Sequence, residues 1–245
     1  MSTYSLVKTK RFSVLEVATL RDERKPVAKS STIVMQHGKR ILLEDFTSVA
    51  VHENAVTVDI ASLERLHSEY ETFTCRSNKY PLEGSSVDVG SNRDDTPYDI
   101  TVSRAALLLE IAKIMHGRFG VRPPVLQLLV EMLNKNVVPM LRSSMNPGAE
   151  IVDVIKGSVD AVCFTPRGTM QSDQAFKYYD IQMIILNQDE MSFFVNNEFL
   201  TTAIATLLVS GVSNIVSILD AIASLSCEAG AINISSFNAN QYQIS

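Results

Sequence analysis

Three cysteines are few for 245 residues, and Cys75, Cys163 and Cys227 stand at spacings that match neither a disulfide framework nor zinc ligation. A reduced compartment fits them best. Histidine is scarce too: His37, His52, His67 and His116 are dispersed along the chain, so no metal site is expected. The lysines and arginines form no stripe and are not interleaved with aromatics. With a formal net charge of −5, nothing favours nucleic acid or an anionic membrane surface as partner. No apolar h-region stands near the N-terminus, so a secretory signal is not expected. Residues 1–31 are rich in Ser, Thr, Lys and Arg. They leave an organelle presequence as the alternative to a cytoplasmic location, although Glu16, Asp22 and Glu23 oppose it. No elbow motif surrounds a serine or cysteine, as a nucleophilic hydrolase would need. Gly117-Arg-Phe-Gly120 is a turn between helices and not a phosphate-cradling loop.

What is present is the composition of a soluble globular chain, 46% hydrophobic and 20% charged, long enough to bury a sizeable core. The order of signals predicts a weakly ordered lead-in over 1–31 and a small mixed α/β portion over 32–99. A helical region fills 100–245, so the fold is mainly α. In the mixed portion, Thr32–Met35 and Ile41–Leu43 read as a hairpin turning at His37-Gly38, with a short helix from Leu42 as the alternative. Val56–Ile60 alternates like a strand. Ser62 is a candidate N-cap for a helix to Tyr70. Turn formers dominate residues 75–99, which makes that stretch the best internal boundary.

The helical region opens with Val102, Ala105, Ala106, Leu109, Ala112 and Met115 at helical spacing. Pro123 and Pro124 start a second helix, with Val125, Leu128, Leu129, Met132 and Leu133 on its apolar face. A further helix is expected from Val152, and a β-turn excursion over Phe164–Thr169. In Phe199–Leu225, Asp220 is the only charge in 27 residues. Length alone would allow that run to cross a membrane. Its serines, threonines and Asn214 point to a fully buried core helix and against membrane association. Such a helix is apolar nearly all round, so something must surround it.

Several of these stretches together resemble the front half of the histidine and phenylalanine ammonia-lyases. Arg104-Ala-Ala-Leu-Leu-Leu, Gly117-Arg-Phe-Gly-Val-Arg122 and Leu133-Asn134-Lys-Asn-Val-Val-Pro139 follow one another at that family's intervals. Asp189-Glu190-Met-Ser-Phe-Phe-Val-Asn196 then leads into the long apolar helix. Ser226-Cys-Glu-Ala229 and Ser236-Phe-Asn-Ala239 follow it as in the family. The resemblance runs from about residue 40 to 240 and implies a bundle of long helices with a small mixed N-terminal portion.

The family's chemistry begins with Ala-Ser-Gly, which cyclises and dehydrates to a methylidene-imidazolone electrophile. Serine supplies the hydroxyl that is lost, and glycine a nitrogen free to reach the alanine carbonyl. The matching positions here are Pro147, Gly148 and Ala149. No hydroxyl is present, and Ser143 and Ser144 are not followed by glycine. The resemblance therefore implies no catalytic residues and no electrophile cofactor. Glu190 and Asn196 remain as vestigial pocket residues; in the family that asparagine helps hold the electrophile. The family's catalytic tyrosine has only Tyr80 as a weak positional counterpart, with Tyr70 and Tyr98 no better.

Relatives continue for about as many residues again, and are oligomers whose sites draw on more than one chain. The resemblance thus implies a non-catalytic structural or regulatory subunit that self-associates, or binds a protein partner, through Phe199–Leu225. The alternative is a fragment that eliminates ammonia from histidine or an aromatic amino acid only with a complementary chain. Neither reading specifies a small-molecule ligand.

Overall fold

Helices are the main component of the computed structural model, which describes residues 32–77 (backbone alone for 73–77), 96–117, 119–142, 146–195 and 199–231. The chain runs β1 (Ile33–Met35), α1 (Leu43–Ala50), β2 (Val56–Val58), α2 (Ile60–Ser77), α3 (Ile100–Met115) and α4 (Pro123–Asn134). It continues through β3 (Val138–Pro139), α5 (Pro147–Lys156), β4 (Val162–Thr165), β5 (Gly168–Gln171), α6 (Ser172–Tyr178), α7 (Gln188–Val195) and α8 (Phe199–Ala229). The lead-in, and the sequence boundary between 78 and 95, lie outside the described residues.

The expected hairpin does not form. β1 pairs in parallel with β2, Val34 opposite Thr57, while Leu43–Ala50 is a helix. Parallel strands need a crossover, and α1 supplies it. The alternative holds instead: with Leu42 as its N-cap, a short helix starts at Leu43 and buries Phe46, Val49 and Ala50. Ser62 is no N-cap either: α2 begins at Ile60, and the carbonyl of Asp59 accepts the N–H groups of Ser62 and Leu63. The Ser62 hydroxyl accepts the His37 N–H at 2.9 Å, tying α2 to the turn after β1.

α3 is buried almost all round, from Ser103 to Met115, and forms the axis of the core. α1, α4 and the start of α8 pack on it. Its Arg104, only 2% exposed, donates to the carbonyls of Val49 and Leu133 and to the Asn136 side chain. One guanidinium thus ties together carbonyls near the ends of α1 and α4, the Leu133 carbonyl also accepting the Asn136 N–H at 3.3 Å. Burial holds Arg104 below the ordinary arginine pKa, while the charge of Glu53 opposes the shift.

At the far end of α3, Gly117 has φ +74°, and a Cβ there would lie 1.9 Å from Glu69 Oε2. Glu69 is itself paired to His37 at 3.2 Å. It is the left-handed backbone at this turn that favours glycine, since the Glu69 carboxylate could swing aside.

α4 opens on its two prolines and buries the face read from the sequence, with Leu126 added. β3, β4 and β5 form an antiparallel sheet, and the excursion at Phe164–Thr169 is the β4–β5 hairpin. α5 begins at Pro147, five residues ahead of the expected start at Val152, because Pro147 sits in a first turn where its missing N–H costs nothing.

The largest departure concerns α8. The expected fully buried core helix is buried within this chain only at Phe199, Leu200 and Ala203. The Thr47 hydroxyl meets Ser210 Oγ at 3.0 Å, and every residue from 211 to 226 is exposed. Leu208 and Leu219 are 63% and 57% exposed. At 1.5 Å per residue, a helix of 31 residues outruns the described elements that pack on it. It is long and apolar enough to cross a membrane.

Candidate functional site

The stretch that the resemblance sets against the electrophile-forming tripeptide is the first turn of α5, and α7 and Asn146 pack against it. Asn146 caps it: its Oδ1 accepts the N–H groups of Gly148 at 2.9 Å and Ala149 at 3.1 Å. Its Nδ2 donates to the Val195 carbonyl at 3.0 Å, so a single amide both caps α5 and clamps it to the end of α7. On the resemblance, the nitrogen of Ala149 stands for the one that closes the family's ring. Here it is committed to a helix cap.

Gly148 makes the tightest contact. A Cβ on it would stand 1.9 Å from the Phe194 carbonyl oxygen and 2.4 Å from the Phe194 carbonyl carbon. A backbone carbonyl cannot swing aside as a side chain could, so the space that a serine Cβ would need is already filled by α7.

Flanking the turn, the buried Glu150 accepts the Arg142 N–H at 2.8 Å and pairs with Arg142 Nε at 3.5 Å. Arg142 also bridges Pro97, and the Tyr98 N–H donates to the Leu141 carbonyl. The acidic residue after the tripeptide thus holds the approach to it. No sequence motif links Glu150 on α5 to Arg142 eight positions earlier.

Glu190 is fully buried and fully occupied. Arg122 donates to it through Nε and NH2, both at 2.8 Å, and through its own backbone N–H at 3.0 Å. The Asn187 N–H donates to it at 2.9 Å, and the Glu190 N–H donates to Asn187 Oδ1 at 2.8 Å. A bidentate pair of this kind is the strong form of the contact, and the Glu190 hydrogen bond raises the Arg122 pKa despite partial desolvation. Both residues stood in motifs read from the sequence, but 68 positions separate them, so their pairing was not legible. Asn196 and Tyr80 lie outside the described residues. Tyr98 is placed by its backbone on Leu141, and Tyr70 lies on α2.

Burial pushes the Cys163 thiol up to about 12, which leaves it inert as a nucleophile at neutral pH. Among the described residues, no group of three or more His, Cys, Asp or Glu could hold a metal ion.

Comparison with known proteins gives this geometry its context. The chain is 26% identical over 232 residues to the histidine ammonia-lyase of Caldanaerobacter subterraneus subsp. tengcongensis, covering 80% of this chain and 44% of that protein. It is 28% identical over 157 residues to the histidine ammonia-lyase of Alkaliphilus metalliredigens, covering 60% of this chain and 30% of that one. It therefore spans less than half the length of these relatives. Among solved structures, histidine ammonia-lyase from Trypanosoma cruzi superposes with a TM-score of 0.72 at 13% identity, over 87% of this chain and 46% of that one. The phenylalanine aminomutase of Pantoea agglomerans gives 0.71 at 19% identity, over 80% and 44%. At such identities these two establish the shared fold. The family profile for aromatic amino acid lyases matches residues 82–244. A match over more than half of its length places this chain in the aromatic amino acid lyase family.

Proposed function

We propose that this chain is a non-catalytic aromatic amino acid lyase homologue that serves as a structural or regulatory subunit of an oligomer. The observation that carries the reading is the contact of Gly148 with the Phe194 carbonyl: a Cβ at the central position of the tripeptide would fall 1.9 Å from that oxygen. Pro147 and Ala149 agree with it, since neither restores the hydroxyl or the glycine nitrogen that ring closure needs. Glu190 and Asn196 are on this reading remnants of the old pocket. Glu190 now serves as a buried partner for Arg122.

The subunit role rests on α8. Its apolar side chains beyond Ser210 are exposed in the single chain, and an apolar surface of that extent marks an interaction site. Self-association or a protein partner covers it in solution, and the chain works in the cytoplasm. A second reading draws on the relatives, which are histidine ammonia-lyases of more than twice this span. On it, the chain eliminates ammonia from histidine or an aromatic amino acid once a complementary chain completes the site.

The two readings part in one assay. Purified chain is incubated with histidine, phenylalanine and tyrosine, alone and after mixing with lysate from which it was isolated. The pseudoenzyme reading expects no urocanate, cinnamate or coumarate above a buffer blank in either condition. Product that appears only with added lysate, and co-purifies with this chain, would establish the fragment reading.

A further inference from the structure

Along its open length α8 carries an ordered seam. Leu208, Gly211, Ile215, Ile218, Ile222 and Leu225 recur at alternating intervals of three and four residues, the seven-residue repeat with which one helix packs along another. All six are exposed in the single chain, the five large ones between 53% and 63%. Thr206, Ser213 and Asp220 take the opposite face, with Ser210, Ser217 and Ser224 beside them. The Ser217 and Ser224 hydroxyls donate to carbonyls four residues back, at 3.0 and 2.8 Å, so that strip satisfies its donors within the helix. The core of this chain takes the side of Ala203, Leu207 and Ser210 and leaves the seam open.

Gly211 says what the seam fits. A glycine inside a helix costs stability relative to alanine, and nothing in this chain asks for one there: a Cβ on it would meet no atom within 4 Å. On the seam it makes a notch between Leu208 and Ile215. Two copies of α8 running antiparallel about the midpoint of Ile215 and Ile218 set Leu208 against Leu225, Gly211 against Ile222, and Ile215 against Ile218. Each notch then receives one large side chain. Parallel copies would set every position against itself, and Gly211 facing Gly211 would leave a void in the seam. The helix dipoles also favour the antiparallel pair. Sliding that pair by one repeat sets Gly211 against Ala229 in one direction and Leu225 against Thr201 in the other.

We propose that the partner of α8 is α8 of a second copy of this chain, antiparallel and in this register, with a twofold axis between Ile215 and Ile218. The same surface serves both copies, so the contact closes on itself and needs no other protein. This inference rests on the subunit reading above and names the partner that reading leaves open. It does not depend on whether the tripeptide position is catalytically dead.

Disulfide trapping in the full chain tests it. Leu208→Cys and Leu225→Cys are placed in separate chains, one of them tagged and both carrying Cys227→Ser. They are co-expressed and mildly oxidised, with Cys227→Ser alone as the baseline. A linked dimer of one tagged and one untagged chain is expected from the pair, and none above baseline from either variant by itself. Linked dimers of Leu208→Cys alone would show parallel helices and overturn the proposal. Association by light scattering without a trapped mixed dimer would overturn it too, while leaving the subunit reading in place. Light scattering that finds only monomer would remove both. Flotation of the chain with phosphatidylcholine vesicles, in place of the mixed dimer, would assign α8 to lipid and also overturn it.

Gly211→Leu supplies an independent sign. The position is open in the single chain, so the variant folds as the parent does, and circular dichroism checks this. Filling the notch against Ile222 should weaken association at least about tenfold. Parallel helices would instead gain from the filled void, so tighter association of Gly211→Leu would contradict the antiparallel pair.

Discussion

Gly148 lies so close beneath the Phe194 carbonyl that a Cβ on it would come within 1.9 Å of the oxygen. Gly148→Ser should therefore destabilise the fold by about 1–3 kcal/mol, the usual cost of forcing atoms into a packed interior. Urea unfolding measures it. Restoring Ala-Ser-Gly at 147–149 should lower stability in the same way, without generating the electrophile's ultraviolet absorbance. A serine variant as stable as the parent would show that α5 and α7 separate freely.

Glu190 receives four hydrogen bonds from Arg122 and Asn187. Glu190→Ala strands a partly buried guanidinium and two backbone N–H groups. Since the Arg122 side chain is 33% exposed, water repairs part of the loss. A drop of about 2–4 kcal/mol in unfolding free energy is expected. A change within about 0.5 kcal/mol, the range of ordinary surface substitutions, would mean that the pair is dispensable.

Asp153, near the C-terminal end of α5, has its pKa raised by burial, with Asp160 adding to the shift and Lys156 opposing it. A folded-state pKa above the unfolded value means that the folded chain holds this proton more tightly. The resulting stability is present below the ordinary value of 3.8 and is lost as pH rises through the raised value. Asp153→Asn should thus be more stable than the parent near about pH 7, with the gap closing toward about pH 3.5. Thermal unfolding across that range checks it; a gap that widens on acidification would reverse the sign.

Much of this architecture could be read in the sequence, and what could not is informative. α3 and α4 announced themselves because their apolar residues recur at helical spacing, and Pro123 and Pro124 mark an unmistakable start. The β1–β2 pairing escaped because three-residue strands carry almost no period, and a parallel partner 23 positions on leaves no local trace. That Pro147-Gly148-Ala149 stand at the tripeptide's place was legible only as an implication of the resemblance. That Gly148 is pressed on Phe194 was not, since the two lie on separate helices with no shared motif. α8 was legible as an apolar helix that needs covering, yet no pattern in one chain states how little of it that chain covers.

That exposed length yields a further prediction. Leu208 and Leu219 lie on the open part of α8, and each would gain about 1.5–3 kcal/mol from full burial. The parent chain should therefore associate in solution. Leu208→Asp with Leu219→Asp should shift it toward the monomer, because an aspartate buried in an apolar seam is strongly unfavourable. Light scattering that finds the parent monodisperse at 27.1 kDa, and unchanged by the pair of substitutions, would remove α8 as an association surface.

The central claim, that the tripeptide position builds no electrophile, is tested most directly by intact mass spectrometry of the purified native chain. Ring closure and dehydration would leave the protein two waters lighter than its sequence. The account predicts the full sequence mass, and the unmodified peptide across Asn146–Glu150 after digestion. A chain lighter by two waters, with the loss mapped to 147–149, would contradict it.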